Sequence, residues 1–319
     1  MTTGPFVLES HDLNSGYVLK RNPHFTGAHG NLTEVDFEIL SDEEMTPAFL
    51  QGKIDLACPV SGADKIPVEA RPFLKWSLAA STKRLDFNVK RPPLDSKSVR
   101  RAIALALDRG KIAASTGLGM TAATSGAPPS MSSHLNSSAL KFDLTQAKKL
   151  LRDAGVNLLS LEILVPLFDE HAEENLKIAE MIQKMLEQNL SATVTIQKAQ
   201  TEQLYSLLRD THDYSLLLRD WSASNDPDEF YSFYSTQSRK STVWTNTDYD
   251  KLVELSRAEK STPKRMDLYR QMERLLVDDE TAVLPILYES DAALVNSRLQ
   301  GFDAKSPQPC VVRDFNLQP

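Results

Sequence analysis

Residues 194–218 contain a strand, a helix and a second strand in close succession, and this segment limits the possible folds more than any other. Residues 194–197 and 214–218 are short apolar runs typical of strands, and residues 201–209 have the spacing of a helix. Two strands joined through a helix lie parallel in a sheet, because the crossover returns the chain to the same edge. The sequence therefore predicts an α/β protein with a partly parallel sheet.

The second strand is predicted to end at Arg219–Asp220–Trp221, where a polar loop over residues 222–228 begins. Pro227 is suited to the first turn of a helix that follows the loop. Open α/β sheets bind their ligands in loops at the ends of strands, so this junction is a candidate binding site. The alternative is a strand–turn–helix junction in which Trp221 only covers the core.

Composition and charge exclude several classes of protein. The chain has 319 residues, which is enough for two lobes with substantial cores. Its net charge of −7 argues against a nucleic-acid-binding surface, which needs clustered lysine and arginine. No run approaches the roughly 18 apolar residues of a membrane span, and the first residues lack the basic start and apolar core of a signal peptide.

The sequence contains no recognisable catalytic motif and no spacing of cysteine and histidine typical of a metal site. His171 lies beside Glu170, Glu173 and Glu174, which could suggest a metal cluster. A solvated helix start, where acidic side chains interact well with the helix dipole, explains this group better. We therefore expect no enzyme activity, no metal and no cofactor.

The two cysteines, Cys58 and Cys310, lie far apart in the sequence and neither belongs to a CxxC pair. We predict two buried free thiols. A disulfide between them is the alternative, because spacing along the chain does not determine connectivity.

Short motifs occur in a fixed order along the chain. The most specific group lies within residues 87–109, where FN, PPLD, VRRAI and ALDR follow one another. The set resembles the oligopeptide/dipeptide/nickel-binding family of extracytoplasmic solute-binding proteins, family 5, which serve ABC importers. The other matches are GPF at residues 4–6, VLKRNP at 18–23, QGKIDL at 51–56, AKKLL and AG within 147–155, WTN at 244–246 and LPIL at 284–287.

The resemblance implies a two-lobe clamshell of the periplasmic-binding-protein type II class, peptide-binding cluster, without the usual N-terminal third. Lobe I would comprise residues 1–88 and 286–319, and lobe II residues 89–285. The implied function is to bind a peptide or similar small solute between the lobes by hinge closure, as a monomer, and to deliver it to a membrane permease. The implied location of the full-length protein is periplasmic or extracytoplasmic.

The resemblance also implies ligand-binding residues around the strand end. Family members that bind peptides commonly have Trp-x-x-Asp, in which the aspartate pairs with the peptide ammonium group, but here Trp221 is followed by Ser224 at the fourth position. Asp226 or Asp220 would then replace the anchor, or the ligand has no free amino terminus. Arg219 is a candidate for a ligand carboxylate, with structural pairing to Asp220 or Asp228 as the alternative. The predicted site comprises Arg219, Asp220, Trp221, Ser222, Ala223, Ser224 and Asp226.

Two other functions remain open from the sequence. One is a ligand-sensing domain of a transcriptional regulator, since similar folds are also found behind DNA-binding domains. The other is a scaffold that binds no ligand. The residues of this chain do not separate these alternatives.

Overall fold

The structure, a computed structural model, describes residues 3–60, 65–169, 171–222, 226–238, 243–306 and 310–319. The chain forms two compact units. Unit 1 comprises Met1–Leu78 and Ser290–Pro319, and unit 2 comprises Ala79–Glu289. The predicted boundaries between the lobes, at residues 88 and 285, lie near the boundaries between these units. That the units are the two lobes stays a prediction.

Unit 1 is built around short antiparallel strands. A hairpin and a third strand form one sheet in the order β1-β2-β3, and a short edge strand, β4, pairs with the end of the long strand β10. Its elements are β1 (Phe6–Asp12), β2 (Gly16–Arg21), β3 (Glu34–Glu38), α1 (Asp42–Leu50), β4 (Leu56–Ala57), the start of β5 (Leu74–Phe87), the end of β10 (Val283–Val295), β11 (Leu299–Gln300) and β12 (Asn316–Leu317).

Gly16 is required where β2 begins. Its φ is +128°, and a Cβ atom at this position would lie 1.7 Å from the carbonyl oxygen of Phe37 on β3. Only glycine allows the two strands to approach this closely. The core of the unit consists of small clusters, one around Phe49 and Leu294 and another around Phe315.

Cys58 and Cys310 form a disulfide within unit 1. The prediction of two free thiols is therefore wrong. The bond joins two cysteines that are 252 residues apart in the sequence. Their spacing along the chain does not show that folding brings them together.

Unit 2 contains the larger sheet and most of the helices. Besides the remaining parts of β5 and β10, the elements of unit 2 are α2 (Lys97–Leu105), α3 (Arg109–Thr116), β6 (Thr121–Ala122), α4 (Leu144–Asp153), β7 (Ser160–Pro166), α5 (Ala172–Leu190), β8 (Thr193–Ala199), α6 (Glu202–Asp210), β9 (Leu216–Ser222), α7 (Pro227–Ser232), α8 (Thr247–Ala258) and α9 (Thr262–Glu273), which continues as a π-helix over Arg274–Asp279.

The sheet of unit 2 has the order β10-β5-β9-β7-β8, and β6 pairs with β10. β7 is parallel to both β8 and β9, which confirms the partly parallel sheet predicted from residues 194–218. β5 runs antiparallel to β9. Leu216 and Leu218 pack into the main core, and Leu217 packs on the other face with Tyr205 and Tyr214.

The strand β9 is longer than predicted. It continues to Ser222, so Arg219, Asp220 and Trp221 are strand residues and not the start of a loop. β9 extends to Ser222 because it pairs with β5 along its whole length. Ser81 of β5 lies opposite Ser222, and Phe87 lies opposite Leu216. Charged side chains on a strand are acceptable when partners on neighbouring elements satisfy them, and the sequence of β9 does not show those partners.

Arg100 joins α2 to distant parts of unit 2. Its side chain is buried and donates hydrogen bonds to the carbonyl oxygens of Leu94, Asp95, Glu280 and Thr281. The neighbouring Arg101 donates a single bond, to the carbonyl oxygen of Asp278.

None of the helices in the part of the chain that the structure describes is long and apolar enough to cross a membrane.

We expect Arg100→Met to lower the free energy of unfolding by at least about 3 kcal/mol, because several buried carbonyl groups lose their donor. Arg101→Met is the matched control and should cost about 1 kcal/mol, the value of one hydrogen bond. Urea denaturation followed by circular dichroism measures both. Equal losses in the two variants would contradict the role assigned to Arg100.

We also expect iodoacetamide to leave Cys58 and Cys310 unmodified in unfolded protein that has not been reduced. Both should be modified after reduction, because the disulfide is the reason for their protection. Mass spectrometry of the alkylated peptides checks this result, and labelling of either cysteine without reduction would show that the bond is absent.

Candidate functional site

The end of β9 presents opposite charges on its two faces. Lys83 of β5 lies directly opposite Asp220 of β9, and the next pair along the strands is Arg84 and Arg219. Successive side chains of a strand point to opposite faces of the sheet. Lys83 and Asp220 therefore lie on one face, and the two arginines lie on the other face together with Trp221.

Lys83 is the centre of an acidic cluster, which we define as Lys83, Glu174, Asp220 and Glu289. The Lys83 Nζ atom lies 2.7 Å from Asp220 Oδ1, 2.8 Å from Glu174 Oε1 and 2.9 Å from Glu289 Oε1. Nζ also donates a hydrogen bond of 3.0 Å to Asn175 Oδ1. One ammonium group thus faces three carboxylates, which gives the ionised cluster a net charge of −2 (+1 − 3).

Four elements bring these residues together. Lys83 comes from β5, Asp220 from β9, Glu289 from β10 and Glu174 from the first turn of α5. The helix dipole favours a carboxylate at that position of α5. The Lys83 side chain has no exposed surface, whereas the side chains of Asp220, Glu174 and Glu289 are 28%, 15% and 12% exposed. The surplus negative charge is therefore the part of the cluster that is accessible.

The cluster perturbs the ionisation of its members. Burial alone lowers the pKa of Lys83, but Glu289, Asp220 and Glu174 raise it well above its ordinary value, so the side chain stays charged. Burial raises the pKa of Glu174, and the attraction of Lys83 opposes this change only in part. Ionisation of Glu174 in the folded protein therefore costs free energy. An additional positive charge close to its carboxylate would reduce this cost.

His171, Glu174 and Glu289 have ligand atoms within 4.8 Å of one another, which is compatible with a metal ion by distance alone. The Lys83 ammonium already contacts the two carboxylates. A cationic group with hydrogen-bond donors fits this environment better than a metal ion. The interpretation of this segment as a solvated helix start is wrong for Glu174, whose carboxylate is held in the ion pair with Lys83.

Trp221 lies on the opposite face of β9 and is buried, with 3% of its surface exposed. Phe230 of α7 stacks on the indole with a centroid distance of 3.4 Å, and the Arg84 Cζ atom lies 4.4 Å from the ring centroid. Two groups at these distances must lie on opposite faces of the ring. A Cβ atom on Gly126 would lie 2.7 Å from Trp221 Cζ3, so one edge is also covered. Contact between ligand and indole stays a prediction, and it requires Phe230 or Arg84 to move.

Arg219 pairs with neither of the partners proposed from the sequence, and that interpretation is wrong. Its Nη1 atom lies 3.8 Å from Asp86 Oδ2. Asp220 is occupied by Lys83, and Asp228 forms an ion pair of 3.1 Å with Arg257. Its partner, Asp86, lies on β5, two residues after Arg84, and Arg84 is the residue directly opposite Arg219.

The remaining predicted residues lie at or after the end of the strand. Ser222 is exposed, and its Oγ atom donates to Ser81 Oγ at 3.0 Å. Ala223 and Ser224 lie outside the described residues. Asp226 is exposed and caps α7, since its Oδ1 atom accepts a hydrogen bond of 2.9 Å from the backbone N–H of Asp228. The helix start predicted from Pro227 is confirmed.

Lys83, Glu174 and Glu289 were not among the predicted site residues. The available signal was the sequence STKRLDF at residues 81–87, in which two adjacent cations interrupt a β-type pattern. A lysine within a buried strand must have anionic partners. Which carboxylates serve that purpose depends on the order of the strands, and the sequence does not show this order.

Unit 1 has a separate cavity of about 440 Å³ next to β3 and β4, lined among others by Phe37, Ile54 and Phe315. None of the predicted site residues that the structure describes lines it. The partly exposed carboxylates of unit 2 are a stronger candidate for recognition, because they combine fixed geometry with unbalanced charge.

Residues 1–242 match the family model described as bacterial extracellular solute-binding proteins, family 5, middle region. Among curated proteins, the chain is 27% identical to the probable deoxycholate-binding periplasmic protein YgiS of Escherichia coli K12, over 97% of this chain and 59% of that protein. It is 24% identical to the oligopeptide-binding protein OppA of Bacillus subtilis 168, over 94% of this chain and 58% of that protein.

Solved structures show the same fold. The unliganded open form of the periplasmic murein tripeptide-binding protein MppA superimposes with a TM-score of 0.88 at 22% identity, covering 98% of this chain and 63% of that protein. HbpA2 from Haemophilus parasuis gives a TM-score of 0.84 at 20% identity, covering 99% and 64%. The chain thus spans about three-fifths of the length of the curated relatives.

The raised pKa of Glu174 predicts how its replacement changes stability with pH. A carboxyl group with a higher pKa in the folded state binds its proton more tightly there, so it reduces stability as pH rises above the ordinary value of 4.5. Glu174→Gln removes this loss. Relative to the unmodified protein, the free energy of unfolding of the variant should therefore increase from about pH 4.5 to neutrality.

Urea denaturation at a series of pH values measures this difference. Glu187→Gln, which changes an exposed glutamate of the same helix, controls for the loss of one charge. The free energy of unfolding of Glu174→Gln, minus that of the unmodified protein, should increase with pH. If this difference stays constant or decreases, the environment described for Glu174 is wrong.

Proposed function

Because this chain belongs to the family 5 bacterial extracellular solute-binding proteins, we propose that it is the solute-binding component of an ABC importer. It holds a peptide or similar small solute and delivers it to a membrane permease, with no chemical change. Relatives whose names describe oligopeptide and dipeptide binding support the class of solute. Closure about a hinge stays a prediction from the resemblance.

The observation that carries the proposal is the surplus negative charge of the acidic cluster. Lys83 holds three carboxylates in fixed positions, and these carboxylates keep partial exposure while Lys83 has none. A ligand ammonium group placed against them gains charge-assisted hydrogen bonds without the cost of ordering the carboxylates. We therefore assign the cationic end of the solute to this cluster.

Asp220 is the best anchor among the carboxylates of the predicted site. It has the most exposed side chain of the cluster, and only its Oδ1 atom contacts Lys83. Asp226, the other candidate from the sequence, is engaged as the cap of α7. The α-ammonium group of a peptide is a suitable partner for Asp220, because its three N–H donors can contact more than one carboxylate of the cluster.

The Cys58–Cys310 disulfide supports an extracytoplasmic location. Disulfides persist in oxidising compartments and are rare in the cytosol, where a transcriptional regulator would act. The disulfide therefore favours the transport function over the alternative of a cytoplasmic sensing domain.

We expect Asp220→Asn to weaken the binding of trialanine by about 10- to 100-fold, which corresponds to one charge-assisted contact of about 1.5–3 kcal/mol. N-acetylated trialanine has no ammonium group, so its affinity for the unmodified protein should be lower than that of trialanine by a similar factor. The substitution should change its affinity little. Isothermal titration calorimetry measures all four combinations.

Asp226→Asn is the matched control. Asparagine caps helices about as well as aspartate, so the variant removes one exposed charge near the strand end and preserves α7. It should bind trialanine like the unmodified protein. Equal affinity of the unmodified protein for the free and acetylated peptides would reject the acidic cluster as the anchor, and a loss confined to Asp226→Asn would move the anchor to Asp226.

A further inference from the structure

A buried carboxyl group without a positive partner lies next to Trp221. Glu273 is the last residue of α9 and is 2% exposed. Its Oε1 atom accepts a hydrogen bond of 2.6 Å from the backbone N–H of Gly126, and its Oε2 atom accepts one of 3.1 Å from the Tyr231 hydroxyl. Among the described residues, none of the groups that act most strongly on its charge is a lysine, an arginine or a histidine.

The contacts of Glu273 hold together the segments that cover the indole of Trp221. Tyr231 belongs to α7, as does Phe230, which stacks on one face of the indole. Gly126 covers an edge, since a Cβ atom at this position would lie 2.7 Å from Trp221 Cζ3 and 3.2 Å from Glu273 Oε2. One carboxyl group therefore joins α9 to both of these covering segments.

Glu273 also lies where the backbone of the helix changes its pattern. α9 ends at this residue and continues as a π-helix over Arg274–Asp279. π-helical turns are rare, occur frequently at functional sites and are among the recognised places where helices bend. A change in the contacts of Glu273 can therefore be taken up at this junction without unfolding α9.

The surroundings of Glu273 disfavour its ionised form. Burial raises the pKa of Glu273, and its hydrogen bonds oppose this change only in part. The titratable and charged groups that face it are Tyr231 of α7, Tyr249 of α8, Tyr288 of β10 and Asp278 of the π-helix. Burial raises the pKa of each tyrosine, so all three are uncharged at neutral pH, and Asp278 also raises the pKa of Glu273. The buried carboxyl group thus holds its proton more tightly than it would in water.

We propose that Glu273, with Gly126 and Tyr231, forms a proton-controlled latch over Trp221. The neutral carboxyl group is stable in its buried position and keeps the latch closed. The ionised group gains hydration when α9 separates from its two partners, because a buried carboxylate without a cation is costly. The stabilisation of the closed form is complete below the ordinary pKa of 4.5 and is lost as pH rises through the raised pKa. The latch does not depend on the proposed function, because its opening requires no solute.

Hydrogen exchange of the Gly126 amide, measured by NMR at a series of pH values from 4.5 upward, tests the latch. In the unmodified protein, the protection factor of this amide should fall as pH rises. The fall should be about tenfold for each unit by which the closed form raises the pKa of Glu273. Glu273→Gln has an uncharged side chain that still offers an acceptor, so its protection factor should not change with pH. The control Glu254→Gln changes an exposed glutamate of α8 and should behave like the unmodified protein.

Acrylamide quenching of tryptophan fluorescence measures the access of Trp221 directly. The chain has three tryptophans, so Trp76→Phe combined with Trp244→Phe leaves Trp221 as the only one. In this background, quenching should increase as pH rises over the same range. The addition of Glu273→Gln should abolish the increase.

Tyr231→Phe is a second variant that keeps the proposal testable if Glu273→Gln does not fold. It removes a hydrogen bond that lowers the pKa of Glu273, so the protection factor of the Gly126 amide should fall further with pH than in the unmodified protein. The proposal is overturned if neither exchange nor quenching changes with pH, if Glu273→Gln keeps the response, or if Tyr231→Phe weakens it. A response lost equally in Glu254→Gln would indicate a general effect of charge and would also overturn it.

Discussion

The buried ammonium of Lys83 joins four elements of unit 2, namely β5, β9, β10 and α5. A lysine without exposed surface on a central strand is strongly unfavourable unless anionic partners surround it. Here the partners come from β9, β10 and the first turn of α5, so one charge fixes three neighbouring elements relative to β5. The same arrangement leaves more negative than positive charge at the partly exposed end of the strand.

The alternation of β9 separates two kinds of chemistry within three residues, Arg219, Asp220 and Trp221. Asp220 points to the acidic face, whereas Arg219 and Trp221 point to the face with the second arginine and the aromatic rings of α7. This separation follows from the period of two in a strand and requires no special backbone geometry. A shift of one residue in the pairing of β5 and β9 would exchange the two faces, so the register is as important as the residues.

Short sequence patterns predicted the structural features that depend on residues close together in the chain. The parallel strands around α6 and the start of α7 at Pro227 both follow from short patterns. The family also follows from motifs along the chain. The partners of Lys83, the pairing of Arg219 with Asp86 and the Cys58–Cys310 bond were missed, because each joins segments whose contact depends on sheet order. The length of β9 was missed for the same reason, since β5 determines it.

In the proposed function, the acidic cluster receives a cationic group of the solute. Titration of the Glu174 side-chain carboxyl by carbon-13 NMR, with and without saturating trialanine, tests it most directly. A ligand ammonium next to the cluster stabilises the ionised form, so bound peptide should lower the pKa of Glu174 from its raised value in the free protein. An unchanged pKa of Glu174 while the peptide is bound would contradict the claim.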